Sequence, residues 1–229
     1  MNEAAQRPRK GTGRTLLLAC GALAREVIEF VERNGWDCFT VECLPARLHW
    51  QPALIAPAVR DKIRAARHRF DRIYVLYGDC GTAGELDRVL AAEGVERIPG
   101  PHCFSFFAGN ADHAREAADE GATTFWLTDF FVRHFDRFVW EGLGIDRHPE
   151  LRELYFGNYE KAVYLAQTDD PALRARAEEC ARRLGLEYEH RFVGYGDFGR
   201  HIAIVADAAP PGAATPRLRQ PTGSGTADE

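Results

Sequence analysis

Cysteine and histidine are the residues through which this chain of 229 residues could do chemistry. It contains six cysteines and eight histidines. Three of the cysteines follow short apolar runs and stand near glycine: Cys20 in LLLACG, Cys80 in LYGDCG and Cys103 in IPGPHC. Such runs predict buried strands, and glycine permits the tight turns that follow them. Six cysteines are too few for a disulfide scaffold, so we expect free thiols.

Thiolates from three strand ends would suit zinc or another soft divalent metal. The predicted metal ligands are Cys20, Cys80 and Cys103, with His102 as the fourth. His49 is the alternative fourth ligand. The competing interpretation is that the three thiols only fill the core, because free cysteine is among the most buried residue types.

The candidate catalytic residues are two histidines and one aspartate. His49 lies between two prolines in LPARLHWQP, and His102 directly precedes Cys103. Either could act as a general acid or base. Asp79 could orient a neighbouring group, act as a general base or form the turn, and turn formation is the default for aspartate at such a position.

The remaining cysteines carry weaker signals. Cys43 ends the predicted second strand and is a further candidate ligand. Cys38 and Cys180 are interpreted as packing residues. The segment YGDCG at 77–81 recurs as YGDFG at 195–199, which suggests two related halves of one fold.

Strand-like and helix-like segments alternate along the chain, which predicts βαβ units. The predicted elements include helices over 130–143 and 171–184 and a strand over 202–205. We therefore expect an α/β fold with a mostly parallel open sheet, helices on both faces and Rossmann-like layering. The segment CGALAREV has a single glycine, so the dinucleotide fingerprint is missing, and neither a P-loop nor a GxSxG elbow is found. In such sheets ligands bind at the carboxyl ends of the strands.

Composition predicts one globular domain at 14–206, a flexible arm at 1–13 and a disordered tail at 207–229.

With 29 basic and 34 acidic residues, the chain lacks the basic excess typical of nucleic-acid binding. No apolar run reaches the ~18 residues that a membrane helix needs. We expect a soluble, cytoplasmic protein with no nucleic-acid or membrane partner. The aromatic stretch 125–140 is typical of a core or of a dimer face, so a homo-oligomer is compatible with the sequence.

Four segments together resemble the DUF1638 family of bacterial and archaeal proteins: ACGAL at 19–23, LPARLHWQP at 44–52, LYGDCG at 76–81 and PGPHCFSFFAG at 99–109. The resemblance covers residues 16–157. It implies that Cys20, His49, Cys80 and Cys103 belong to the family's motifs. The fourth motif most often reads His-Asp-Cys in the family, whereas this chain has Pro101-His102-Cys103.

The resemblance also implies an association with corrinoid-dependent methyl transfer from methylamines and related compounds. The candidate cofactors are thus zinc or another soft divalent metal and, through the resemblance, a corrinoid. The candidate partners are a small molecule or a corrinoid methyl-transfer protein. Three functions remain open, and the sequence does not decide whether the protein is an enzyme. They are a thiolate metal site, a non-catalytic accessory protein for a metal or corrinoid partner, and a redox-active thiol protein.

Overall fold

The computed structural model describes residues 14–119 and 123–208. The predicted arm at 1–13 and residues 209–229 of the predicted tail lie outside the described residues. Within the described ranges, no helix is long and apolar enough to cross a membrane.

The described strands form two sheets, and every pairing between neighbouring strands is parallel. The first sheet has the order β2-β1-β3-β4 and the second the order β5-β6-β7. The strands are β1 Thr15–Cys20, β2 Phe39–Leu44, β3 Arg72–Leu76, β4 Glu96–Arg97, β5 Thr124–Thr128, β6 Lys161–Ala166 and β7 Glu187–Phe192. The predicted α/β class with parallel strands is confirmed.

Helices alternate with these strands. They are α1 Ala24–Asn34, α2 Ile55–Ala66, α3 Glu85–Glu93, α4 Ser105–Ala108, α5 Asn110–Asp119, α6 Asp129–Arg133, α7 Glu150–Phe156, α8 Pro171–Leu184 and α9 Gly196–Asp207. Short 3-10 segments occupy Gly21–Leu23, Ala46–Trp50 and Pro52–Leu54, and a π-helical turn occupies Asp136–Trp140.

The chain divides into two compact units. Among the described residues, the first unit comprises 14–102 and 201–208, and the second comprises 103–119 and 123–200. The first sheet belongs to the first unit and the second sheet to the second. Two compact units are compatible with one domain or with two, so the predicted single domain at 14–206 stays a prediction.

The burial of side chains accounts for the arrangement of strands and helices in the first sheet. All six residues of β1 are buried, as expected for a strand with a parallel neighbour on each side. Helix α1 turns Val27 and Phe30 inward and ends at Gly35, whose φ of +65° is the left-handed conformation of a common helix C-cap. Helix α2 likewise buries Val59 and Ile63.

The second unit is built on the same principle. Strand β6 is central and five of its six residues are buried. Asp170 caps the start of helix α8: its carboxylate accepts hydrogen bonds from the backbone nitrogens of Ala172 (2.9 Å) and Leu173 (3.3 Å). The helix ends at Gly185, where φ is +78°. The predicted helix over 171–184 is therefore confirmed.

Two predicted elements are wrong. Residues 202–205 were expected to form a strand, because the run is apolar and β-branched, but they lie within α9. Phe198, Ile202 and Val205 are buried at helical spacing, so burial of one helix face outweighs the local strand propensity. The predicted single helix over 130–143 is instead the short α6 followed by the π-helical turn.

A buried carboxylate joins the ends of β5 and β6. Asp129 has no exposed surface. It accepts hydrogen bonds from the Tyr164 hydroxyl (2.7 Å), the Gln167 backbone nitrogen (3.0 Å) and the Thr168 hydroxyl (2.6 Å), and Nη1 of Arg133 lies 3.6 Å away. A buried charge with this many partners is costly to disrupt, because each partner would lose its acceptor.

We expect Asp129→Ala to lower the free energy of unfolding by about 3 kcal/mol or more, since it leaves buried donors without an acceptor. Urea unfolding measures this loss. The control is Asp169→Ala, which removes a surface ion pair with Arg174 (2.9 Å) and should cost less than about 1 kcal/mol. Equal losses in the two variants would contradict the assignment of Asp129 as a structural link.

Candidate functional site

The loops that follow the strands of the first sheet pack tightly against one another. A Cβ atom at position 21, just after β1, would lie 2.8 Å from the Leu44 oxygen and the Ala46 nitrogen. A Cβ atom at position 81 would lie 3.3 Å from Cγ of Pro52. Glycine at 21 therefore allows a backbone approach that a side chain would block. We call this region, residues 20–21, 43–52, 77–84 and 98–102, the first-sheet edge.

The loops after β3 and β4 are equally close. A Cβ atom at Gly78 would come within 2.8–2.9 Å of three backbone atoms of His102. The backbone nitrogen of Cys80 donates a hydrogen bond to the Pro101 oxygen (2.8 Å). The structure thus brings Cys80 and His102 to neighbouring loops at the carboxyl edge of a parallel sheet, where ligands usually bind.

Cys80 has an unusual backbone conformation. Its φ is +49°, and Ala83 is the other non-glycine residue with a positive φ among the described residues. The left-handed conformation costs a residue with a Cβ atom roughly 1–2 kcal/mol. Such strain persists where the surroundings enforce it, and it clusters at functional sites. Glycine would adopt the backbone conformation of position 80 at lower cost than cysteine. The presence of a thiol side chain at this position therefore calls for an explanation.

Asp79 holds the loop that carries Cys80. Its carboxylate accepts hydrogen bonds from the Thr82 hydroxyl (2.6 Å) and from the backbone nitrogens of Gly84 (2.8 Å) and Ala83 (3.2 Å). The bond from Thr82 contributes most to holding the pKa of Asp79 below its ordinary value. These contacts are those of a turn-forming aspartate, and a role as general base stays a prediction.

Arg97 ties the loops after β3 and β4 to α3. Its side chain is only 13% exposed. Its Nε and Nη2 donate to the two carboxylate oxygens of Asp87 (2.6 and 2.9 Å). Its Nη1 donates to three backbone oxygens, those of Tyr77 (3.3 Å), Ile98 (2.9 Å) and Gly100 (3.2 Å).

The charge of Arg97 also reaches the loop of Cys80. The hydrogen bond to Asp87 is the main reason that the pKa of Arg97 is raised, and the charges of Asp79 and Cys80 raise it further. A fixed cation near a thiol is one of the features typical of the surroundings of reactive cysteines. The sequence motifs did not reveal this residue, although an arginine directly before the apolar Ile98 in VERIPG was a visible signal.

His49 and His102 interact electrostatically. His49 lies in the 3-10 segment Ala46–Trp50, with its ring centroid 5.5 Å from that of Trp50. Burial lowers the pKa of His49, and the charge of His102 lowers it further. The residue keeps exposed surface, yet the atoms around it are dense enough to disfavour its charged form. At neutral pH His49 is therefore the neutral imidazole, which can accept a proton or ligate a metal.

Cys20 and Cys43 stand at the ends of neighbouring strands. Cys20 pairs in register with Leu44, and Cys43 with Ala19. Cys20 is buried, whereas Cys43 is exposed. Surrounding atoms, with a smaller effect from Cys20, nevertheless raise the pKa of Cys43 to about 11. Cys43 is therefore a protonated thiol at neutral pH and a poor nucleophile.

Cys103, Cys38 and Cys180 differ from Cys20 and Cys43 in the unit to which they belong or in the evidence on their thiols. Cys103 is the first residue of the second unit, whereas Cys20, Cys80 and His102 belong to the first. Burial raises the pKa of Cys180 to about 11 and also raises that of Cys38. These raised pKa values agree with the interpretation of Cys180 and Cys38 as packing residues.

No group of three or more His, Cys, Asp or Glu side chains that could hold a metal ion occurs in the part of the chain that the structure describes. The predicted ligand set of Cys20, Cys80, Cys103 and His102 therefore gains no support from the geometry, and the zinc site stays a prediction.

The family model described as "Protein of unknown function (DUF1638)" matches residues 43–202. The chain belongs to the DUF1638 family. The predicted resemblance is thus confirmed, although the match begins later and ends later than the residues 16–157 that carried it. Of the motif residues in this DUF1638 protein, His49, Cys80 and Cys103 lie inside the match and Cys20 precedes it. No curated protein and no solved structure matches the chain significantly.

The strain at Cys80 can be measured in this DUF1638 protein. We expect Cys80→Gly to be more stable than Cys80→Ala by about 1 kcal/mol in urea unfolding, because glycine adopts a positive φ without a Cβ clash. The matched pair Cys43→Gly and Cys43→Ala should differ in the opposite direction, since glycine within a strand is destabilising by roughly 0.5–1 kcal/mol. The same sign at both positions would contradict the left-handed conformation of Cys80.

Proposed function

We propose that this protein binds a small molecule at the first-sheet edge and that the Cys80 thiolate is the group that bonds to it. One observation carries the proposal. A cysteine occupies a strained left-handed position in a loop that Asp79 fixes, within the electrostatic reach of the half-buried Arg97 cation. Strain, a nearby fixed cation and partial exposure are the surroundings typical of reactive cysteines.

The chemistry of the site is that of a soft nucleophile. The Cys80 sulfur forms a bond to an electrophilic carbon of the small molecule, and the leaving group departs with the electron pair of the broken bond. The thiol proton is released to water before the attack, because Arg97 favours the thiolate. The neutral imidazole of His49 is available to exchange protons at the same edge.

The remaining thiols of the first unit support the choice of Cys80. Cys43 is more exposed, but its raised pKa keeps it protonated. Cys38 also has a raised pKa, and Cys20 is buried. Partial exposure and the nearby Arg97 cation together therefore favour Cys80.

Site-resolved alkylation tests this function. We expect iodoacetamide at pH 7 to modify Cys80 at least about ten times faster than Cys43, because the thiolate is the reacting form. Peptide mass spectrometry measures both rates in the same sample. The rate at Cys80 should also rise at a lower pH than the rate at Cys43.

Variants of the cation sharpen the test. Arg97→Lys keeps the positive charge and should retain most of the rate at Cys80, whereas Arg97→Gln should slow it several-fold without changing the rate at Cys43. If Arg97→Gln does not fold, the proposal is still tested by the pH dependence of the alkylation rates at Cys80 and Cys43 in the unsubstituted protein. Alkylation of Cys43 before Cys80 would overturn the proposal.

A soft-metal function is the second candidate, and the neutral state of His49 beside His102 favours it. Neutral imidazole is the form of histidine that ligates metals, and thiolates such as that of Cys80 are preferred by zinc. In this function the protein would hold the metal itself, or would present it to a corrinoid methyl-transfer partner as the family resemblance suggests.

Metal analysis tests this candidate in protein purified without a histidine tag. The expected content is about one zinc per chain, lowered in both Cys80→Ala and His49→Ala. The control is His148→Ala, which changes an exposed histidine near Glu150. A visible absorption change on mixing with cobalamin would support the corrinoid role. No stoichiometric metal, or the same content in Cys80→Ala, would exclude the metal function.

A further inference from the structure

A cavity of the first unit lies beside the edge strand β4. Its volume is about 500 Å³. The residues that line it include Arg72, Tyr74, Glu96, Arg97, His201 and Ile204. None of these lining residues is a thiol or histidine of the predicted site, but Arg97 lines the cavity and also contacts the loops of the first-sheet edge, so the cavity adjoins that edge.

Tyr74 lines this cavity. The residue is only 5% exposed. The charged groups that affect the pKa of its hydroxyl are Glu96, Arg72 and Arg97, all of which line the cavity. Among the described residues no group forms a hydrogen bond with this hydroxyl, whose oxygen is not fully shielded from solvent. Burial raises the pKa of Tyr74 to about 12, so the hydroxyl is a protonated donor at neutral pH that a bound ligand can reach.

Arg72 is a cation whose ion pair with Glu96 is weak enough to be replaced by another anion. Its Nη2 lies 3.2 Å from Oε2 of Glu96, and the two side chains are 34% and 76% exposed. Such a surface ion pair contributes only about 0–1 kcal/mol. By contrast, Arg97 is engaged by Asp87 and three backbone oxygens. An incoming anion can therefore replace Glu96 at Arg72.

The geometry of the strands puts these groups on the same side of the sheet. Arg72 and Tyr74 are two residues apart on β3, and side chains at that spacing share a face. Tyr74 pairs in register with Glu96. Ile204 of α9 contributes apolar surface to the lining of the cavity, and this residue is 61% exposed.

We propose that this cavity binds a small organic carboxylate with an apolar body. The carboxylate accepts hydrogen bonds from the Tyr74 hydroxyl and the Arg72 guanidinium, and the apolar body covers Ile204. Binding gives the Tyr74 hydroxyl an acceptor and exchanges a weak surface ion pair for a charge-assisted hydrogen bond, which is the stronger interaction.

Titration calorimetry with benzoate as the probe tests the proposal on the full chain. Tyr74→Phe removes only the hydroxyl and should weaken binding about fivefold to tenfold. Arg72→Gln should weaken it on the order of tenfold to a hundredfold. Glu96→Gln should strengthen it about twofold to fivefold, because it removes the competing carboxylate.

The controls decide between this site and general attraction of anions. Arg69→Gln removes a comparable exposed arginine, which pairs with Glu42 (3.0 Å), and should leave benzoate binding unchanged. Benzamide, which lacks the charge, should bind more weakly than benzoate. The absence of saturable benzoate binding, equal binding of benzamide, or weaker binding in Glu96→Gln would each overturn the proposal.

Discussion

The planar guanidinium of Arg97 is the group on which the arrangement of the first-sheet edge depends. It spans the carboxylate of Asp87 on α3 and the backbone oxygens of two separate loops. Only arginine offers five donors in a fixed fork, so a lysine could hold the charge but not all of these partners. Because the acceptors include backbone groups, Arg97 fixes the course of the chain near Cys80 and His102 and supplies the local charge as well.

The sequence predicts the positions of the thiols well and their environments poorly. The buried run of β1 and the glycines beside Cys20 and Cys80 are local features, so the strand ends could be recognised without knowledge of the partners. The neutral state of His49 and the role of Arg97 depend on residues that are distant in the chain. In the sequence, Arg97 looks like an ordinary surface residue of a short strand. Its importance becomes visible only when the oxygens that accept its hydrogen bonds are known.

Hydrophobic periodicity also does not show which strands belong to which sheet. It identifies β1 to β7 as separate buried or half-buried runs, but the pairing of β6 with β5 and β7 comes from contacts over long sequence distances. For the same reason the sequence could not assign Cys103 and His102, which are adjacent in the chain, to different compact units. Helix α9 shows the reverse case, in which a strand-like run is helical because one helix face is buried.

The repeated segment YGDxG has a common physical basis in the two units. Tyr77 and Tyr195 are both buried, and the following glycine in each copy allows close approach of another backbone. The aspartate in each copy accepts a hydrogen bond from a backbone nitrogen, as Asp197 does from Asn110 (2.8 Å). The copies differ at the fourth position. There the second copy packs Phe198 in the core, whereas the first presents a partly exposed thiol.

The brevity of β4 has a consequence for association between molecules. An outer strand normally presents unpaired backbone groups that a strand from another chain can join. Among the described residues, the ladder of β4 with β3 comprises Glu96 and Arg97, both charged, and one further backbone hydrogen bond runs from Ile98 to Val75 (2.9 Å) before Pro99, which lacks a backbone N–H. An outer strand that is this short and charged is a poor template for strand addition. This edge of the first sheet is thereby protected against edge-to-edge aggregation.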